Sequence, residues 1–226
     1  MGKQLRVEAH TDSSFGLFET NLTYPTKPKP GRIRILSIGV AKYPYLDDGA
    51  QLNFTNNDAR NLVRQLRRSL PEQYDDIESK VLLDADRPTK SNIEDALDWL
   101  EESNAEDTTI VFVASHGLTD PDGNFYIAPQ DTQDHDISLD GGAVVNPNSL
   151  VSWRRFFESF QRTLGKRLMI VDACNGRGIE GNLDIRSVLK RSANSSIAFL
   201  SASKADELSR ELPSIEMGIF LSLIHI

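Results

Sequence analysis

Only one of the 226 residues is a cysteine, Cys174. That excludes an intrachain disulfide framework and any zinc site built on several thiolates. Positive charge is also scarce: 25 Lys and Arg stand against 33 Asp and Glu, for a formal net charge of −8. Such a chain lacks the basic face that sequence-independent nucleic-acid binding needs, so no nucleic-acid partner is expected. Long apolar runs are missing. None approaches the ~18 residues of a membrane-spanning helix, and the first eight residues lack the apolar core of a secretory leader. No Gly-x-x-x-x-Gly-Lys-Ser/Thr phosphate loop occurs. The Cys-x5-Arg spacing of cysteine phosphatases fails, because Glu180 stands six positions after Cys174. The acidic run Asp131–Asp136 could bind calcium, but its spacing is not that of an EF-hand, which favours a solvated loop. No metal and no cofactor are therefore expected. What is present is ordinary for a globular chain, with 39% hydrophobic and 26% charged residues, enough for one domain of average size.

The first 30 residues differ from the rest. Gln4–Ala9 alternates polar and apolar, Leu17–Tyr24 does so more weakly, and the turn-rich Thr11–Gly16 lies between, a β-hairpin pattern. Two strands alone are unstable in water. Residues 1–24 therefore read either as the end of a β-sandwich domain whose remainder lies upstream in a longer parent chain, or as a disordered tail. Pro25–Gly31 holds three prolines and reads as a semi-rigid linker, which puts the domain boundary there.

From Arg32 onward strands and helices alternate. Ile33–Val40 is a short apolar strand. Asn57-Asp58 is expected to open a helix with Ala59, Leu62, Val63, Leu66 and Leu70 on one face, ending before Pro71. Ile77–Leu83 is a second strand, and Ser91-Asn92-Ile93-Glu94 has the pattern of a capping box ahead of a second helix. Thr108–Ala114 is a buried third strand. Residues 117–148 read as a long loop with a short strand near Phe125–Ala128, and loops of that length are usually functional. Ser149 is expected to cap a helix carrying Leu150, Trp153, Phe156, Phe157 and Phe160. Lys166–Asp172 and Ser196–Ser201 are the fourth and fifth strands. This order predicts an α/β fold with a largely parallel central sheet.

Ligands of such sheets sit at the carboxyl ends of the strands. The third strand runs into Ser115-His116-Gly117 and the fourth into Asp172-Ala173-Cys174-Asn175-Gly176. The only cysteine and one of four histidines thus fall at the same edge, each expected in a glycine-containing turn. A thiol needs a base to become a thiolate, and imidazole is the usual one. Against this stands the ordinary fate of a lone cysteine as a small buried hydrophobe.

Asp172–Gly176 resembles the caspase signature Gln-Ala-Cys-[Arg/Gln/Gly]-Gly, whose histidine lies ~50 residues upstream. Here His116 lies 58 positions before Cys174. The acid two residues before the cysteine resembles the metacaspase and bacterial caspase-like form. Ile38–Tyr43, Leu52–Ala59, Tyr126–Asp131, Phe199–Ser203 and Glu216–Phe220 each resemble a further family segment, so that the resemblance covers residues 32–220. Residues 1–30 resemble the last strands of the immunoglobulin-like domains that precede such domains in some bacterial proteins. Asn175 replaces the family's usual histidine, Ala114 stands where metacaspases often carry serine, and Leu221–Ile226 does not continue the family pattern. The last point leads us to expect a domain incomplete at its C-terminus.

The resemblance implies a caspase-like three-layer sandwich and a cysteine endopeptidase acting on a peptide or protein. Cys174 would be the nucleophile, His116 its partner, and the backbone amides of Gly117 and Cys174 the oxyanion donors. Acids matching Asp58 and Asp172 line the metacaspase pocket for the residue before the scissile bond. Paired carboxylates select a cation, best a guanidinium, whereas Asp58 as a plain helix cap is the competing reading. Two other functions stay open: a catalytically silent caspase-like signalling module, and a cysteine-dependent hydrolase of small amides.

Overall fold

The structure, a computed structural model, describes residues 3–11, 14–22, 31–70, 74, 76–122, 124–138, 143–144, 146–174, 197–201, 211–212 and 217–218. The expected linker prolines 25, 28 and 30, Pro71, the Asn175-Gly176 pair and Leu221–Ile226 lie outside the described residues. The chain forms two compact units, Met1–Pro30 and Gly31–Ile226. In the first, β1 (Lys3–Thr11) pairs antiparallel with β2 (Ser14–Leu22), from Lys3↔Leu22 to Thr11↔Ser14.

The second unit is built on β3 (Ile33–Gly39), α1 (Thr55–Ser69), β4 (Ile77–Leu82), α2 (Lys90–Leu100) and β5 (Thr108–Thr119), in that order. Three short strands follow: β6 (Phe125–Ile127), β7 (Ile137–Ser138) and β8 (Ala143–Val144). Next come β9 (Val151–Ser152), α3 (Trp153–Arg162), β10 (Lys166–Cys174), β11 (Ile197–Ser201), β12 (Glu211–Leu212) and β13 (Met217–Gly218). A seven-stranded sheet runs β11-β10-β5-β3-β4, all parallel, with β6 and β9 added antiparallel beyond β5. The strands β7 and β8, and β12 and β13, form separate antiparallel pairs.

Strand alternation divides the core in two. Ile33 and Ile35, Ile110 and Phe112, and Ile170 face α1, where Ala59, Leu62, Val63 and Leu66 cover them. The intervening Leu36, Ile38, Val111, Val113, Met169 and Val171 face α2 and α3. There Ile93, Leu97 and Leu100 meet Trp153, Phe156 and Phe160. The result is a three-layer sandwich, and the covering of both faces is what a parallel sheet requires. Full burial of Phe156 and Phe160 contributes about 1.5–3 kcal/mol each. Among the described residues no helix is long and apolar enough to cross a membrane.

Helix starts differ from expectation. α1 begins at Thr55, with Phe54 at the cap position, so Asp58 lies inside the first turn and its amide donates to the Phe54 carbonyl (2.9 Å). α2 is capped by Thr89, whose Oγ1 accepts from the Asn92 amide (3.3 Å), and not by Ser91. α3 is capped by Ser152, whose Oγ accepts from the Arg155 amide (3.3 Å). The hydroxyl of Ser149 donates instead to the Asn146 carbonyl, and Val151 belongs to β9. The α2 and α3 stretches each hold more than one hydroxyl able to cap, and Thr89 and Ser152 make the bond, whereas α1 has no side-chain cap at Phe54.

Asp107, 3% exposed, ties the start of β5 to the start of β3. Its oxygens accept from the Arg32 amide (2.9 Å), the Arg32 guanidinium (3.0 Å) and the Asn104 amide (2.9 Å). Burial pushes its carboxyl upward, but the hydrogen bonds from Asn104 and Arg32 outweigh burial and hold it below the ordinary carboxylate value. A depressed folded-state value stabilises the fold above the unfolded carboxylate pKa of ~3.9, and that stability is lost as pH falls through the folded value. Wild type is therefore expected to lose melting temperature on acidification below about pH 4 more steeply than Asp107→Asn, measured by circular dichroism.

Candidate active site

The sheet positions the expected site residues through one face and one edge. β5 does not end at Ala114. Gly117–Thr119 pair antiparallel with Phe125–Ile127, so the strand continues through His116 to Thr119. The expected glycine-containing turn at His116 is thus corrected: the residue sits within a strand, because a hairpin partner ten residues downstream extends it. Cys174 is the last residue of β10 and lies directly opposite His116 in the parallel register, as Asp172 lies opposite Ala114. Parallel partners share a face and residues two apart on a strand share a face. His116 and Asp172 therefore occupy the α1 side of the sheet, and the backbone of Cys174 takes the register position opposite His116.

Asp58 reaches the same side from α1. The helix can approach because Gly39 ends β3: a Cβ there would stand 2.4 Å from the Thr55 carbonyl oxygen and 3.0 Å from the Ala59 Cβ. The buried Ser37 Oγ donates to the Ala59 carbonyl (2.8 Å) and fastens the first turn to the sheet. Asp58 is 2% exposed and Asp172 3% exposed. Phe54 holds the N-cap position of α1, and Asp58 lies in the first turn. Two buried carboxylates, Asp58 from α1 and Asp172 from β10, are thus brought to the same side of the sheet.

The His116 ring is held from several sides. Nε2 lies 2.6 Å from the Ala50 carbonyl oxygen. A carbonyl only accepts, so this contact requires the proton on Nε2. The Tyr43 ring packs at 5.0 Å between centroids. The His116 amide donates to Tyr43 Oη (3.2 Å), and the His116 carbonyl accepts from the Ala128 amide (3.0 Å). Both backbone groups of His116 thus point away from β10, and strand alternation turns those of Gly117 toward it. Ser115 Oγ, on the opposite face, donates to the Ala128 carbonyl (2.8 Å) and lies 3.0 Å from Tyr43 Oη.

The Caspase domain family model matches residues 33–224, most of the chain. The chain belongs to the caspase-domain family. The three-layer sandwich described above is therefore a caspase-like fold, and the family is one of cysteine peptidases. The crystal structure of protein GSU0716 from Geobacter sulfurreducens is similar to this caspase domain, with a TM-score of 0.56 and 14% identity, over 85% of this chain and 80% of that one. At that identity the likeness concerns the fold alone. A search among curated proteins found no match.

Two residues that touch the His116 ring, Tyr43 and Ala50, and Gln51, which bonds to the Tyr43 backbone, were not singled out from the sequence. Ala50 acts through its carbonyl, which no side-chain motif can mark. Tyr43 was visible only as part of the Ile38–Tyr43 segment. Gln51 carried no signal, since its amide bonds to backbone groups.

Proposed function

We propose that this caspase domain is a metacaspase-related cysteine endopeptidase that cleaves peptide bonds after Arg or Lys. The observation that carries the reading is the backbone register pair His116↔Cys174 at the carboxyl edge of the sheet, with the Nε2–H of His116 committed to Ala50. The thiol proton passes to Nδ1 of His116, and the Cys174 sulfur attacks the substrate carbonyl carbon. When the C–N bond breaks, the same proton goes to the leaving amine and a thioester remains. Water then hydrolyses the thioester and returns the free thiol. The amides of Gly117 and Cys174 are the oxyanion donors in this reading. In a parallel ladder the rung at His116↔Cys174 is closed along the β5–β10 seam by these same groups, so their use requires the last rung to open. Asp58 and Asp172 receive the substrate cation.

The test is a set of fluorogenic peptides with Arg, Lys, Asp or Phe before the scissile bond, assayed with and without calcium. Turnover of the Arg and Lys peptides is expected. Hydrolysis of small amides with no peptide cleaved would move the assignment to an amidase, and no turnover of either class would leave a silent signalling module.

A further inference from the structure

The segment between β3 and α1 is bridged internally by the side chain of Gln51. Gln51 uses both ends of its amide on the backbone of its own loop. Its Oε1 accepts from the Tyr43 amide (2.9 Å), and its Nε2 donates to the carbonyls of Tyr43 (3.1 Å), Leu46 (3.4 Å) and Asp47 (3.2 Å). The ends of the loop are tied by the Leu52 amide to the Ala41 carbonyl (2.9 Å). Within it, the single turn Asp48–Ala50 is held by the Ala50 amide on the Asp47 carbonyl (2.9 Å).

Two residues beside this clamp touch the His116 imidazole. Tyr43, whose amide and carbonyl both bond to Gln51, lays its ring against His116 and gives its hydroxyl oxygen to the His116 amide. Ala50, the chain neighbour of Gln51, gives its carbonyl to Nε2 of His116. Asp84 supports the same loop from outside: its Oδ1 accepts from the amides of Ala41 (3.0 Å) and Lys42 (3.2 Å).

We infer that Gln51 is a positioning residue that fixes the tautomer and orientation of His116 through Ala50 and Tyr43. With Nε2 protonated and committed, Nδ1 alone exchanges a proton with the thiol. Without the clamp the loop is free to withdraw its carbonyl, the proton distributes between both nitrogens, and the fraction of molecules with a usable base falls. The inference about the ring stands on the loop geometry; its catalytic consequence rests on the peptidase reading above.

The experiment is an imidazole 15N titration of wild type, Gln51→Ala and Gln51→Met, with kcat, KM and the rate of Cys174 alkylation measured in parallel. Gln51→Met keeps the length of the side chain while removing its four hydrogen bonds, so it covers the case in which Gln51→Ala fails to fold. In wild type, Nε2 of His116 is expected to stay protonated across the pH range while only Nδ1 changes. In the folded variant both nitrogens should show averaged shifts, with kcat and the alkylation rate at least tenfold lower and KM little changed. A wild-type His116 that already exchanges between tautomers overturns the inference, as does a folded variant whose nitrogens behave as in wild type. Averaged nitrogens with unchanged alkylation and turnover would support the positioning role and instead remove His116 from the chemistry.

Discussion

Cys174→Ala is expected to abolish peptide cleavage while changing the melting temperature by no more than a few degrees. The residue closes the β10 ladder opposite His116, and alanine differs from it by one sulfur atom, so the lost volume is small. The chemistry, by contrast, has no second thiol to fall back on, since the chain contains one cysteine. His116 requires a different variant. The ring is 2% exposed and satisfies the Ala50 carbonyl, so His116→Ala would strand a buried acceptor at a cost of about 1–3 kcal/mol. His116→Gln keeps an N–H donor for that carbonyl and removes only the titrating nitrogen. It should therefore melt near wild type and lose about 10²–10⁴ in kcat, the range for removal of a general acid–base. Iodoacetamide should label Cys174 more slowly in His116→Gln than in wild type at neutral pH, because the thiolate loses its base. The two losses should not add in a double variant, since thiol and imidazole act as a unit. Equal turnover by wild type and Cys174→Ala would refute the mechanism at once.

The strands of the sheet were legible because a parallel sheet buried on both faces needs continuous apolar runs, and Ile33–Val40, Thr108–Ala114 and Lys166–Asp172 supply them. The helices were legible as faces, Ala59-Leu62-Val63-Leu66 and Trp153-Phe156-Phe157-Phe160, but not as starting points. A starting point depends on one hydrogen bond among several chemically equivalent hydroxyls: Thr89 against Ser91, Ser152 against Ser149. The extension of β5 was hidden in another way. Ser115-His116-Gly117 has the composition of a turn, and only pairing with Phe125–Ile127 keeps it extended. The same limit applies at the site. His116, Cys174, Asp58 and Asp172 stand out by residue type, whereas Ala50 and Gln51 act on or through the backbone, where composition carries little information. In the long segment 117–148, Asp136 accepts from the Gln133 amide (3.0 Å) and from Asn146 (3.0 Å), which turns an apparent loop into local structure.

Substrate choice should respond most strongly to Asp172. The carboxylate is 3% exposed on β10, two residues before Cys174, and Asp58 comes from α1 with 2% exposure. Two carboxylates on one side of the sheet would gain from a cation placed between them. A guanidinium offers forked donors to both; an ammonium meets them only as a point charge; an aspartate side chain meets like charge. The expected order of kcat/KM is therefore Arg above Lys, with essentially no cleavage after Asp. Asp172→Asn keeps the shape and removes one charge. Its cost should be about 2–5 kcal/mol on the Arg substrate, the range for truncating one partner of a buried charge pair, or a fall of about 30- to 4,000-fold in kcat/KM. Asp58→Asn should act in the same direction. Because Phe54, and not Asp58, sits at the cap position of α1, the variant should not lose the roughly 1 kcal/mol of a broken N-cap. A drop in melting temperature with the Arg-over-Phe preference intact would place Asp58 in the fold and not in the pocket. Wild-type cleavage after Asp in preference to Arg would remove both carboxylates from substrate recognition, since neither could then face the side chain being selected.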